Sequence, residues 1–137
     1  HTSEIEQQLN FVSNNKVEVQ FTPHLVPMVR GLLSTIYAQL RDPGITAEDC
    51  KTLLETIYRN YSNIQVLPVG TYPATKWTRY TNKMLISVQV DKRNGRIIII
   101  SAIDNLLKGQ AGQAIQSINL MSGFDINLGL TLDSFFP

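Results

Sequence analysis

Two runs rich in β-branched residues, Met84 to Val90 and Arg96 to Ala102, flank the pentapeptide Asp91-Lys92-Arg93-Asn94-Gly95. Asn-Gly accepts the positive φ of a tight reversal, so the pattern predicts an antiparallel hairpin. Ile97 to Ile100 shows no alternation of apolar and polar residues, which predicts cover on both faces. A hairpin covered on both faces needs neighbours. Lys16 to Thr22 alternates Val17, Val19 and Phe21 with Glu18, Gln20 and Thr22, predicting a strand with one buried face. Between Met28 and Leu40, a helix would align Leu33, Ile36, Tyr37 and Leu40, and a strand would align Leu32, Ile36 and Leu40. The β-branched and aromatic content, with Gly31 near the start, favours the strand. Ile64 to Leu67 predicts a short strand closed by Pro68.

Three helices complete the pattern. Ser3-Glu4-Ile5-Glu6 has the form of a capping box and predicts a short helix to about Leu9. Thr46, with Asp49 three residues on, caps a helix from Ala47 to about Tyr58, with Ala47, Cys50, Leu53, Leu54, Ile57 and Tyr58 in one apolar arc. Asp104 or Asn105 caps a last helix running to Ser122, where Gly123 stops it. The fold class expected is α+β, a mixed, largely antiparallel sheet with helices on one face. With 137 residues and no repeat or linker, the chain reads as one domain, 1–137.

Charge narrows the function. Twelve Lys and Arg against eleven Asp and Glu leave +1, with no basic stripe for a phosphate backbone, so nucleic acid is not an expected partner. No apolar run approaches the ~18 residues of a membrane span. Cys50 stands alone and cannot form an internal disulfide, which fits a cytoplasmic protein. The chain opens at His1 without Met or a signal-peptide pattern, and so reads as a processed or excised segment, or with His1 as a tag remnant.

Few residues suit chemistry. Cys50 lies on an apolar arc, the place of a core thiol rather than a nucleophile. His1 and His24 can each serve as a base or stand as exposed polar residues, and two histidines are too few for a metal cluster, so no metal is expected. Arg30 follows a turn bracketed by Pro23 and Pro27, where its fork could hold a carboxylate or phosphate, or lie in solvent. Gly109 and Gly112 each cost about 1 kcal/mol in a helix relative to Ala. They point to close approach of another backbone or a ligand, or equally to tight packing of helix on sheet. No phosphate-cradling glycine motif occurs anywhere.

Four stretches, in order along nearly the whole chain, carry a resemblance: His1 to Gln7, Phe21 to Gly31, Ser101 to Gly109 with Gly112-Gln113-Ala114, and Asn119-Leu120-Met121. Together they resemble the N-acetyl-gamma-glutamyl-phosphate reductase family. The resemblance implies an NADP-dependent oxidoreductase of arginine biosynthesis that reduces an acyl phosphate to N-acetylglutamate semialdehyde. It also implies a C-terminal domain like that of glyceraldehyde-3-phosphate dehydrogenase. This portion would follow a Rossmann domain carrying the nucleotide fingerprint and the nucleophilic cysteine, with about 104–137 packing on that domain. His1 matches the second histidine of the family's His-x-His-x-x-Glu stretch and becomes the catalytic candidate. Arg30 and His24 are implied to meet substrate, and Asn105, Lys108 and Gly109 the nicotinamide end of NADP. Around Thr75 to Asn82 the likeness is weaker, with Tyr80 where a small residue is usual. The 137-residue chain is expected to be inactive alone and to self-associate, as part of a homo-oligomer. The alternatives are a non-catalytic interaction or dimerisation module, and a domain of a related enzyme such as aspartate-semialdehyde dehydrogenase.

Overall fold

In a computed structural model, residues 1–133 are described. The predicted hairpin is there: β3 (Met84–Asp91) and β4 (Arg96–Ile103) pair antiparallel, and the Asn94 N–H donates to the Asp91 carbonyl across the turn (3.4 Å). On the other side of β4 runs β1 (Leu32–Gln39), also antiparallel, so the Met28 to Leu40 region is indeed a strand. β2 (Ile64–Val66) joins β3 in parallel, giving a four-stranded mixed sheet of order β1-β4-β3-β2. The class is α+β, as expected.

Helix α2 (Ala47–Tyr58) has the predicted ends, with Thr46 and Asp49 forming a reciprocal capping box. It lies chiefly over β2 and β3. Cys50, Leu54 and Tyr58 therefore turn inward, while Leu53 and Ile57, placed in the same arc by the sequence, stay exposed. Ile97 to Ile100 are half-buried rather than enclosed. β4 has strands on both sides, but little covers its two faces.

Two expectations about the N-terminal region are corrected. Helix α1 spans Thr2–Ser13, past the predicted end at Leu9, with His1 at the N-cap position, so Ser3 lies inside its first turn and no capping box forms. Lys16 to Thr22 is not a strand. The Val17 N–H donates to Asn10 Oδ1 and the Val19 N–H to Glu6 Oε1, so α1 side chains occupy the amides a partner strand would have taken. The alternation survives in part: Val17 and Val19 are half-buried between exposed neighbours, but Phe21, the third residue of the expected face, is exposed.

The last helix also starts differently from the expectation. After β4 the chain makes a π-helical turn over Leu107–Ala111 and only then enters α3 (Gly112–Met121), which ends before Gly123 as predicted. Its inward residues, Gly112, Gln116 and Asn119, are small or polar. The interior as a whole follows suit. Besides Cys50, Leu67, Leu85, Ile86, Val88 and Ala102, it holds Asn63, Thr78, Thr81, Asn82, Ser87, Ser101 and Asp104.

Candidate functional site

Asp104 is the first residue beyond β4, and the hydrogen bonds of three chain segments meet on its carboxylate. It is fully buried. Oδ1 accepts from the backbone N–H groups of Leu106 (2.9 Å) and Leu107 (3.0 Å), capping the turn that follows. Oδ2 accepts from the Tyr80 N–H (2.8 Å) and from Arg30 Nε (3.1 Å), while Arg30 Nη2 reaches both oxygens at 2.7 and 2.9 Å. Burial works against its ionisation, but the Tyr80 N–H, the Arg30 guanidinium and the Leu107 and Leu106 N–H groups outweigh it. Together they hold the carboxyl below the usual aspartate range.

The partners are fixed in turn. The Tyr80 ring lies 4.8 Å from the Arg30 guanidinium carbon, a cation-π contact. Tyr80 itself has φ +61, the left-handed region. Residues other than glycine, asparagine and aspartate rarely adopt that conformation, so the turn holds Tyr80 in a costly backbone state. Gly31 has φ +115, and a Cβ there would stand 2.7 Å from Thr75 Cβ, so both conformation and space demand glycine. Its N–H donates to Asn105 Oδ1 (2.7 Å), tying the start of β1 to the end of β4.

Beyond Asn105, the π-helical turn carries Lys108 and Gly109. Lys108 Nζ donates to Gln116 Oε1 (2.6 Å), and Gln116 Nε2 continues to Asn127 Oδ1 (3.1 Å). Burial pushes the Lys108 amine below the usual lysine range. No ion pair involves it among the described residues. The glycine question resolves towards packing at Gly112, where a Cβ would fall 2.1 Å from Asn82 Oδ1 and 2.8 Å from the Leu107 carbonyl oxygen. Gly109 is less constrained, with contacts of 3.4 Å at the nearest.

The structure therefore brings Arg30, Asn105, Lys108 and Gly109 to one end of β4. The histidines lie apart from this cluster's bonding. Exposed His1 pairs with Glu4 (3.3 Å) and sets its ring edge-on to Phe21, with centroids 6.1 Å apart. His24 Nδ1 lies 3.3 Å from the Thr22 carbonyl. No hydrogen bond or ion pair joins either histidine to Arg30 or Asp104 among the described residues. Cys50 is buried, and burial first, then the Asp49 charge, pushes its thiol up. The cluster offers donors for an anion or an amide. Among the described residues, no hydrogen bond or ion pair of Arg30, Asp104, Asn105 or Lys108 involves a thiol or an imidazole. Among the described residues no group of side chains suits a metal ion, and no helix is long and apolar enough to cross a membrane.

Sequence reasoning gave Asp104 only its capping half and did not single out Tyr80 as a partner of Arg30. An Asp-Asn pair after a strand signals the cap. Nothing local signals an arginine 74 positions away.

Residues 1–105 match the family described as semialdehyde dehydrogenase, dimerisation domain. Over all 137 residues the chain is 69% identical to N-acetyl-gamma-glutamyl-phosphate reductase of Prochlorococcus marinus (strain MIT 9211). It is 66% identical to that of Synechococcus sp. (strain CC9605) and 65% to that of Parasynechococcus marenigrum (strain WH8102). It spans 38% of the length of each. Aspartate semialdehyde dehydrogenase II of Vibrio cholerae, complexed with ASA, superposes with a TM-score of 0.68 at 20% identity, over 89% of this chain and 36% of that one. A second structure of that enzyme gives 0.59 at 24% identity, over 72% and 29%. At that identity the likeness speaks for the fold, which is the C-terminal-domain arrangement expected.

Proposed function

The chain belongs to the semialdehyde dehydrogenase dimerisation-domain family, and from that premise we propose that it is the C-terminal catalytic and dimerisation domain of an NADP-dependent N-acetyl-gamma-glutamyl-phosphate reductase. What carries the reading is likeness to reductases of that name along all 137 residues. The parent enzyme is cytoplasmic and homo-oligomeric in this reading, and reduces N-acetyl-gamma-glutamyl phosphate to the semialdehyde in arginine biosynthesis. A thiolate on its N-terminal Rossmann domain attacks the acyl carbon and phosphate leaves. The cofactor in its reduced form, NADPH, would supply the hydride that takes the resulting thioester to the aldehyde and frees the thiolate.

This chain binds and orients. Arg30 meets the substrate's carboxylate or phosphate, and His24 shapes the turn before it. His1 is the catalytic candidate, as base or orienting group. Asn105 suits a nicotinamide carboxamide. Its Oδ1 accepts one bond from Gly31, which leaves a second lone pair and both Nδ2 donors. Lys108 and Gly109 lie beside it on the turn, and the segment from about 104 onward packs on the cofactor domain.

The test is phosphate-dependent oxidation of N-acetylglutamate semialdehyde with NADP by the full-length parent. Turnover supports the assignment, whereas no turnover, with aspartate semialdehyde accepted instead, transfers it to the sister enzyme. The 137-residue chain alone should show no NADPH-dependent reduction. Any such activity would overturn the division of labour.

A further inference from the structure

Three stretches of chain that share no ladder or helix with one another converge on Asp104: the loop ending at Arg30, the turn at Tyr80 and the segment after β4. A buried charge is a costly way to hold loops together, since apolar packing of similar volume often does as well or better. What the charge adds here is direction. Arg30 is gripped through Nε and Nη2, which leaves Nη1 outside the pair, and Tyr80 lies over the guanidinium. The same carboxylate caps Leu106 and Leu107, and so fixes the backbone on either side of Asn105, whose side chain reaches Gly31.

We propose that Asp104 is a positioning residue of the reductase site: it aims Nη1 of Arg30 at an anionic group of the substrate and, through the helix start it caps, sets Asn105 for the cofactor. The identity of what is bound rests on the reductase reading. The convergence of the three stretches on one carboxylate does not.

The experiment is a double-mutant cycle in the full-length reductase carrying this chain, assayed in the oxidative direction. R30M shows which anion Arg30 meets, the semialdehyde carboxylate or inorganic phosphate, by which KM rises. D104N should raise that same KM on the order of tenfold, and add less than about twofold when Arg30 is already Met, because contacting residues are not additive. Asp104→Ser keeps an oxygen for the Leu106 and Leu107 N–H groups and gives up the grip on Arg30. It should raise the anion's KM and leave that of NADP within about twofold. Equal effects of D104N with and without Arg30 overturn the proposal, as does a lower Tm with every KM unchanged. If D104N does not fold, the Ser variant decides, and an unchanged anion KM is then the contrary result. The cycle runs on whichever semialdehyde the wild type oxidises. Preference for aspartate semialdehyde would sink the substrate assignment and still decide Asp104.

Discussion

Asp104 remains ionised without any solvent contact because its donors outweigh burial, and that makes it a point of acid sensitivity. A carboxyl held below its unfolded range stabilises the fold above that range, and the contribution is lost as pH falls through the folded value. Stability of the 137-residue chain should therefore drop steeply below about pH 4, and thermal melts of Asp104→Asn should show a flatter slope there with a lower Tm at pH 7. A parallel slope in the variant would contradict this. Gly112 makes the opposite kind of prediction, one of space. A methyl group there collides with buried Asn82, so Gly112→Ala should cost about 1–3 kcal/mol in urea unfolding despite alanine's better helix propensity. How legible such residues were depended on the distance their partners lie along the chain. The cap of Asp104 could be read from its neighbours and its ion pair could not. The need for glycine at 112 was visible, and its cause at Asn82, thirty positions back, was not.

Helix α2 was legible end to end because its signals are local. Thr46 accepts the Asp49 N–H (3.2 Å) and Asp49 Oδ2 accepts the Thr46 N–H (2.9 Å), closing the box that the spacing predicts. Thr46→Ala should cost about 1 kcal/mol, a fall of a few degrees in Tm for a domain of this size, with no change in site geometry. The hairpin was equally readable, since Asn94-Gly95 and two β-branched runs state both turn and strands. Lys16 to Thr22 misled for a physical reason. Period-2 burial is what any extended segment lying on a surface shows, and α1 side chains can replace a strand as its partner. Helix α3 was readable at its end but not at its start, where a π-helical turn follows Asp104 and Asn105 and is set by contacts outside the helix.

The molecule exposes more surface than its mass requires. Its accessible area is 9691 Å², where a compact monomer of 15.4 kDa has about 7,200 Å². The excess, about 2,500 Å² on this one chain, is well above the ~800 Å² that each partner gives to a standard interface. Leu33 and Tyr37 on one face of β1, Leu32 and Ile36 on the other, and Phe11, Leu25 and Val29 before the sheet are all exposed. The 137-residue chain should accordingly associate with concentration in sedimentation velocity, and Tyr37→Lys should weaken that association. A monomer at all concentrations would contradict both. The pairing of Arg30 with Asp104 has a consequence in time as well as in space. Those residues are 74 positions apart, whereas β3 and β4 meet across a four-residue turn, Lys92 to Gly95. Closing the longer loop carries the greater entropic cost, so the hairpin can nucleate early and the ion pair is left to the downhill side of the folding barrier. In stopped-flow measurements Asp104→Asn should speed unfolding and leave the folding rate nearly unchanged, the signature of a binding site that is assembled last and released first.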